Sequence, residues 1–242
     1  AFQVAQKHSE SDGGMALLKR LNTNVGSRWI QAIDDYHFPV VTLSDETDAE
    51  AVCTIFETLN RTGVRLSPFE LLTARFFPKD LSLRDLWEKA KADHPILVEF
   101  DVDPYYVMQV IALLARQVPS CKRSDVLALT ADEVVIWWDR AVGGMAAGLG
   151  VLQDDCGVLS SRWLPYAPIL MPLAAALAKW SDLTGPSVGL LRDRLRRWFW
   201  CSVFGQTYEN SANSQASKDF VELGIWFGGK HEPQSIRELA FD

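Results

Sequence analysis

TDAEAVCTIFETLNRTGVRLSPFELLTARFFP, residues 47–78, is a run in which each boundary carries its own chemical signal. It reads as helix, polar loop, helix. Thr47 and Glu50 have the spacing of a capping box: the hydroxyl accepts from the Glu50 amide and the carboxylate reaches back to the Thr47 amide. Val52, Ile55, Phe56 and Leu59 follow at helical spacing and form one apolar stripe. Asn60-Arg61-Thr62-Gly63 then stops the helix, with Gly63 suited to a left-handed position beyond the C-cap. Ser67-Pro68-Phe69-Glu70 opens the second helix. Ser67 is its N-cap, Pro68 takes the first helical position, and Glu70 closes a second box. Leu71, Leu72, Ala74, Arg75 and Phe76 carry it on to Pro78, which ends it.

Upstream of this stretch, residues 1–14 (AFQVAQKHSESDGG) read as a connector or disordered lead-in. Ala1 opens in mid-pattern without Met, as in a piece of something larger. Residues 15–36 are helical by periodicity: Leu17, Leu18 and Leu21, then Trp29, Ile30, Ile33 and Tyr36, with Gly26-Ser27 as an interruption. His37 to Leu43 (HFPVVTL) is β-branched and apolar, with Pro39 near its start, so one or two short strands are expected near residues 38–43.

Downstream the pattern is helical throughout. Ser82 opens a helix to about Ala92, and Asp103-Pro104 opens a longer one, YYVMQVIALLARQ, apolar on several sides and therefore central. Thr130 and Glu133 make a third capping box, ahead of VVIWWDRAVGGMAAGLGVL. There Gly143-Gly144 and Gly148 weaken or end the helix. Residues 154–165 read as loop, 166–180 as an apolar helix starting or kinking at Pro172, and 187–204 as a strong helix. Residues 206–215 read as polar loop, and 216–227 and 235–241 as the last helices. The fold class is mainly α, a multi-helix domain with those one or two short strands. The expected organisation is residues 1–14 as lead-in, 15–80 as helix, strand and helix–loop–helix, and 81–242 as a helical domain.

Composition narrows the classes of function. With 242 residues and 48% apolar side chains the chain can bury a substantial core. Nine Trp and twelve Phe supply its anchors, and Trp137-Trp138 and Trp198-Phe199-Trp200 are read as such, not as a ligand cage. The net charge of -7 argues against attraction of the whole molecule to nucleic acid or anionic membrane. Cys53, Cys121, Cys156 and Cys201 lack the paired spacing of a zinc site and read as free thiols, which with the absence of a secretion signal implies a cytoplasmic protein. No apolar run is long enough to span a bilayer.

IFETLNRTGVRLSPFELLTARFF (55–77) resembles the segment after the sheet in the GmrSD-type family of modification-dependent restriction and phage-defence proteins. Phe56, Leu59, Asn60, Thr62, Gly63, Ser67 and Glu70 are among the matching residues. The run RLRRWFWCSVFGQTYENSANSQASKDF (194–220) resembles the closing part of the family's helical region, with Tyr208, Ser211 and Asp219 at its Tyr, small polar and Asp positions. The resemblance implies a ParB/sulfiredoxin-like domain followed by a helical extension. Residues 15–80 would be the end of the former. Two family motifs have no counterpart here: the Asp-Gly-Gln-Arg run tied to nucleotide use and the His-Asn-His nuclease motif. His8, His37, His94 and His231 are isolated.

The candidate sites each have two readings. Asn60, Arg61, Thr62 and Gly63 offer a backbone turn, a hydroxyl and a guanidinium, the parts of a nucleotide or phosphate cradle; equally, they are a helix stop with a solvated arginine. Arg192, Arg194, Arg196 and Arg197 beside Trp198 and Trp200 mix cations with aromatics as nucleic-acid surfaces do, or form the exposed face of an amphipathic helix, with Arg65, Arg75 and Lys79 as possible extensions of the patch. Glu70, Asp219 and Glu222 are not read as metal ligands, because Glu70 serves as a cap and Asp219 with Glu222 reads as a surface i, i+3 pair. No catalytic residue and no cofactor is assigned within this chain. The resemblance implies an NTP for the full-length protein, and DNA and a nuclease domain or subunit as partners. The expected role is a helical, non-catalytic portion of a restriction or phage-defence protein. Its alternatives are part of an NTPase or nuclease whose motifs lie outside the chain, and a scaffold unrelated to DNA.

Overall fold

The computed structural model describes residues 15–16, 19–20, 29, 31–37, 40, 42, 44, 51, 55, 66–180 and 186–239. The chain divides into two compact units, Ala1–Thr47 and Asp48–Asp242. In the first, Gln31–Asp34 forms a short helix, α1, inside the segment expected to be helical. The strand expected at 38–43 falls largely outside the described residues; Val40 and Thr42 are in no strand.

In the second unit Ala51 and Ile55 are helical, as the periodicity requires. Next come α2 (Pro68–Phe76), a 3-10 turn at Phe77–Lys79, α3 (Leu83–Asp93), α4 (Ile96–Glu99) and α5 (Pro104–Ala115). They are followed by α6 (Arg123–Leu127), α7 (Ala131–Cys156), α8 (Leu170–Lys179), α9 (Pro186–Phe204), α10 (Ala212–Phe227) and α11 (Gln234–Leu239). The described residues are thus mainly helical, without strand or sheet.

The starts were chemically specified. The Ser82 side chain accepts from the Asp85 amide and Asp103 from the Tyr105 amide, while Thr130 and Glu133 close their box in both directions. Each such cap is worth about 1 kcal/mol. Pro168 lies in the 3-10 turn Ala167–Ile169, and α8 begins at Leu170 with Pro172 in its first turn.

The core is built on α5, α7 and α8. From Val107 to Leu113 every residue of α5 is buried, which fits its all-round apolar sequence. The glycines of α7 correct the sequence expectation: the helix runs unbroken through Gly143, Gly144 and Gly148. At Gly144 a Cβ would lie 2.4 Å from the Ala174 carbonyl oxygen and 2.7 Å from the Ala178 Cβ. The glycine is there because the α8 backbone is there, and the packed crossing outweighs the propensity cost. Gly143, one residue earlier, faces open space. Gly144→Ala is expected to destabilise by roughly 1–3 kcal/mol through overpacking, and Gly143→Ala to stabilise by up to about 1 kcal/mol through helix propensity. Urea midpoints of the two variants check both signs.

Candidate functional site

Asn60, Arg61, Thr62, Gly63, Phe56 and Leu59 lie outside the described residues. The second helix of the same stretch is described. The Glu70 amide donates to Ser67 Oγ at 3.2 Å and the Ser67 amide to Glu70 Oε2 at 2.7 Å, the reciprocal box the sequence predicts. Leu72 and Phe76 are almost wholly buried in the main core. Arg75 does not extend a surface patch: its guanidinium donates to the carbonyls of Leu127, the last residue of α6, and of Leu129 just beyond it, and lies over the Phe76 ring. Arg116, after α5, grips the same turn through the Ala128 carbonyl and Glu133. Two guanidiniums from different helices therefore satisfy carbonyls that α6 leaves open.

The arginines of α9 are all engaged. Arg192 meets Asp155 at 2.7 Å and Asp154 at 3.3 Å. Arg194 donates to the Trp226 carbonyl at 2.9 Å and sits over the Trp226 ring. Arg196 pairs with Asp193 at 3.0 Å, and Arg197 takes both oxygens of Glu232, the nearer at 2.6 Å. A phosphate at this face would displace a carboxylate at each ion-paired position. Trp198 and Phe199 are core residues, while Trp200 reaches the surface and stacks on Phe204.

Tyr208 and Asp219 are brought together. Asp219 is fully buried and is no surface partner of Glu222, which corrects the sequence reading. Tyr208 OH donates to Asp219 Oδ2 at 2.6 Å and Gln215 Nε2 to Oδ1 at 2.8 Å. This ties the α9–α10 connection, in which Gln206 and Ser211 both take left-handed φ values of 53°, back onto α10. A second buried set adjoins it. Gln109 of α5 donates to the Cys121 carbonyl at 3.0 Å and to Asn213 Oδ1 at 3.2 Å; Cys121 Sγ donates to the Asn213 carbonyl, and the Cys121 amide to Ser217 Oγ. Sequence reasoning missed this set. The available signal was Gln109, a lone amide inside the apolar run YYVMQVIALL, which must find partners when buried.

Chemically the network is a proton-binding tie. Burial raises the Asp219 carboxyl from its ordinary 3.8 to about 6; the bonds from Tyr208 and Gln215 and the charge of Lys218 pull it down, and Glu222 pushes it up. The Tyr208 hydroxyl is driven well above its usual value by burial and then by Asp219, and burial also raises the Cys121 thiol. Neither is poised as a nucleophile. Cys121, Cys156 and Cys201 are free thiols, and the described residues hold no cluster of three or more potential metal ligands.

What these features define is a helical body with the capped helix α2 fastened to it and a buried polar tie holding the α9–α10 connection. Residues 5–77 match the family described as the GmrSD restriction endonuclease, N-terminal domain, so the resemblance read from residues 55–77 holds over that span and supports a restriction-related protein. The stretch carrying Tyr208 and Asp219 lies beyond it. The chain is also similar to the uncharacterized protein MJ0686 of Methanocaldococcus jannaschii, at 30% identity over 233 residues. That alignment covers 88% of this chain but 38% of the relative, so the chain spans well under half the length of the curated protein it matches. No solved structure matches the chain. Among the described residues no helix is long and apolar enough to cross a membrane.

The sign of the Asp219 effect follows from its raised value. The folded state holds the proton more tightly than the unfolded chain, so the stability it contributes is full below about pH 3.8 and lost as pH rises through about 6. A displacement of about two units corresponds to something on the order of 3 kcal/mol. Asp219→Asn keeps an acceptor for Tyr208 and, after Gln215 turns its amide, both bonds. It is expected to equal or exceed the parent at pH 7.5 and to lose this pH dependence between 4 and 6. Asp219→Ala strands the buried Tyr208 hydroxyl, at a cost of roughly 1–3 kcal/mol. Urea titrations at pH 4.5 and 7.5 separate the three proteins.

Proposed function

We propose that this chain is the helical, non-catalytic portion of a restriction or phage-defence protein, and that it supports sensing of a nucleotide or of modified DNA. The observation that carries the reading is the position of α2. The family match ends at residue 77, and α2, its last helix, is built into the helical body through Leu72, Phe76 and Arg75. An event at Asn60–Gly63, five to eight residues before α2 in the sequence, would be passed to that body and on to a nuclease domain or subunit. In this reading Asn60, Arg61, Thr62 and Gly63 cradle the phosphates of an NTP in the full-length protein. DNA is contacted through the α9 arginines once the carboxylates on Arg192, Arg196 and Arg197 give way, which surface pairs worth about 0–1 kcal/mol allow.

The longer relative favours a second reading, in which the chain is part of an NTPase or nuclease whose catalytic motifs lie elsewhere in the protein. An Asp-Gly-Gln-Arg run and a His-Asn-His motif in the complete reading frame would select it.

Arg61→Ala in the longest available protein is expected to weaken nucleotide binding about tenfold or more, the loss of one charged contact, with the circular dichroism spectrum unchanged. Equal affinity removes the cradle. Gel shifts on modified and unmodified duplexes across a salt series test the DNA arm; absence of binding at low salt would leave the scaffold role.

A further inference from the structure

Between the C-terminal ends of α8 and α10 the surface opens into a groove of about 550 Å³. Its apolar side is Trp180, Phe220, Val221 and Ile225; its polar groups are Lys179, Lys230 and Gln117. Three observations give it a ligand chemistry. Carboxylates outnumber cations 31 to 24 in the whole chain, yet the described lining has two lysines and no carboxylate. Neither lysine is ion-paired to a described carboxylate, and Lys179 Nζ lies 5.4 Å from the Phe220 ring centre and 5.5 Å from that of Trp180. Its ammonium is thus held against an aromatic wall of low dielectric, where a charge acts more strongly than in water. Lys179 is also in the last turn of α8, where the helix dipole favours a cation.

The apolar wall is equally built. Trp180 packs edge-on against Phe227 at 4.9 Å and enters the space left by Gly224, where a Cβ would come 3.2 Å from the indole. The volume falls in the range of small-ligand sites, roughly 300–1,000 Å³. A fully hydrated inorganic anion would gain nothing from such a wall, and an uncharged apolar molecule would ignore the lysines. We propose that this groove binds a small amphiphilic anion, its aromatic or aliphatic body on Trp180, Val221 and Ile225 and its charged group at Lys179 and Lys230. Binding here would not depend on whether Asn60 to Gly63 hold a nucleotide.

The test uses the full chain and two fluorescent probes of similar shape, anionic 8-anilinonaphthalene-1-sulfonate and its uncharged analogue N-phenyl-1-naphthylamine. The sulfonate is expected to bind saturably at one site. Lys179→Met with Lys230→Met should weaken it by about tenfold, the loss of a charge-assisted contact, while leaving the uncharged probe within twofold. Val221→Glu, a change on the exposed side of α10, should abolish sulfonate binding with the near-ultraviolet spectrum intact; the lysine pair carries the test if that variant does not fold. No saturable sulfonate binding by the parent, or equal loss of both probes in the lysine variant, overturns the proposal.

Discussion

The closeness of α7 to α8 at Gly144 is the constraint on which the remaining packing rests. With no side chain at that position the α8 backbone packs directly against α7, and Ala174 and Ala178 fill the crossing. Small residues on both helices bring the long side chains above and below into one continuous core with α5. The interior is close-packed, so a single methyl group at the crossing has no empty volume to enter. α10 is layered on α8, and α9 reaches the same framework through α7. The groove, the Tyr208–Asp219 tie and the docking surface of α2 are all placed by it.

α2 is fastened to that framework in two ways. Phe76 and Leu72 bury apolar area, which acts without direction. Arg75 supplies direction, because a planar guanidinium aimed at the carbonyls of Leu127 and Leu129 fixes the rotation of α2 as well as its distance. The helix that ends the family match is in this way a structural member of the body that follows it.

The start of α2 was legible because its signals are local. Ser67 with Glu70, and Thr130 with Glu133, need only their own turn to form, and both boxes are present. Mainly helical architecture and the central burial of α5 were legible for the same reason: periodicity reports one helix at a time. The errors have a single cause, long-range packing. Gly144 looked like a breaker because its partner, α8, is some thirty residues away in sequence. Residues 212–215 looked like loop because Asn213 and Gln215 are polar. In the fold they are the first turn of α10, with their amides turned inward to Gln109 and Asp219. Asp219 looked like a surface acid for the same reason. The arginines of α9 were correctly assigned to a helix, but no local rule names Asp155, Trp226 or Glu232 as their partners.

α2 belongs mechanically to the helical body. Native-state hydrogen exchange on the backbone amides of Leu72–Phe76 tests it directly, since amides in one cooperative unit open with one free energy. These amides and those of Val107–Leu113 in α5 are expected to share the slowest class, and Arg75→Met to move the α2 amides to faster exchange while α5 stays protected. Fast exchange of α2 in the unaltered protein, beside a fully protected α5, would contradict it.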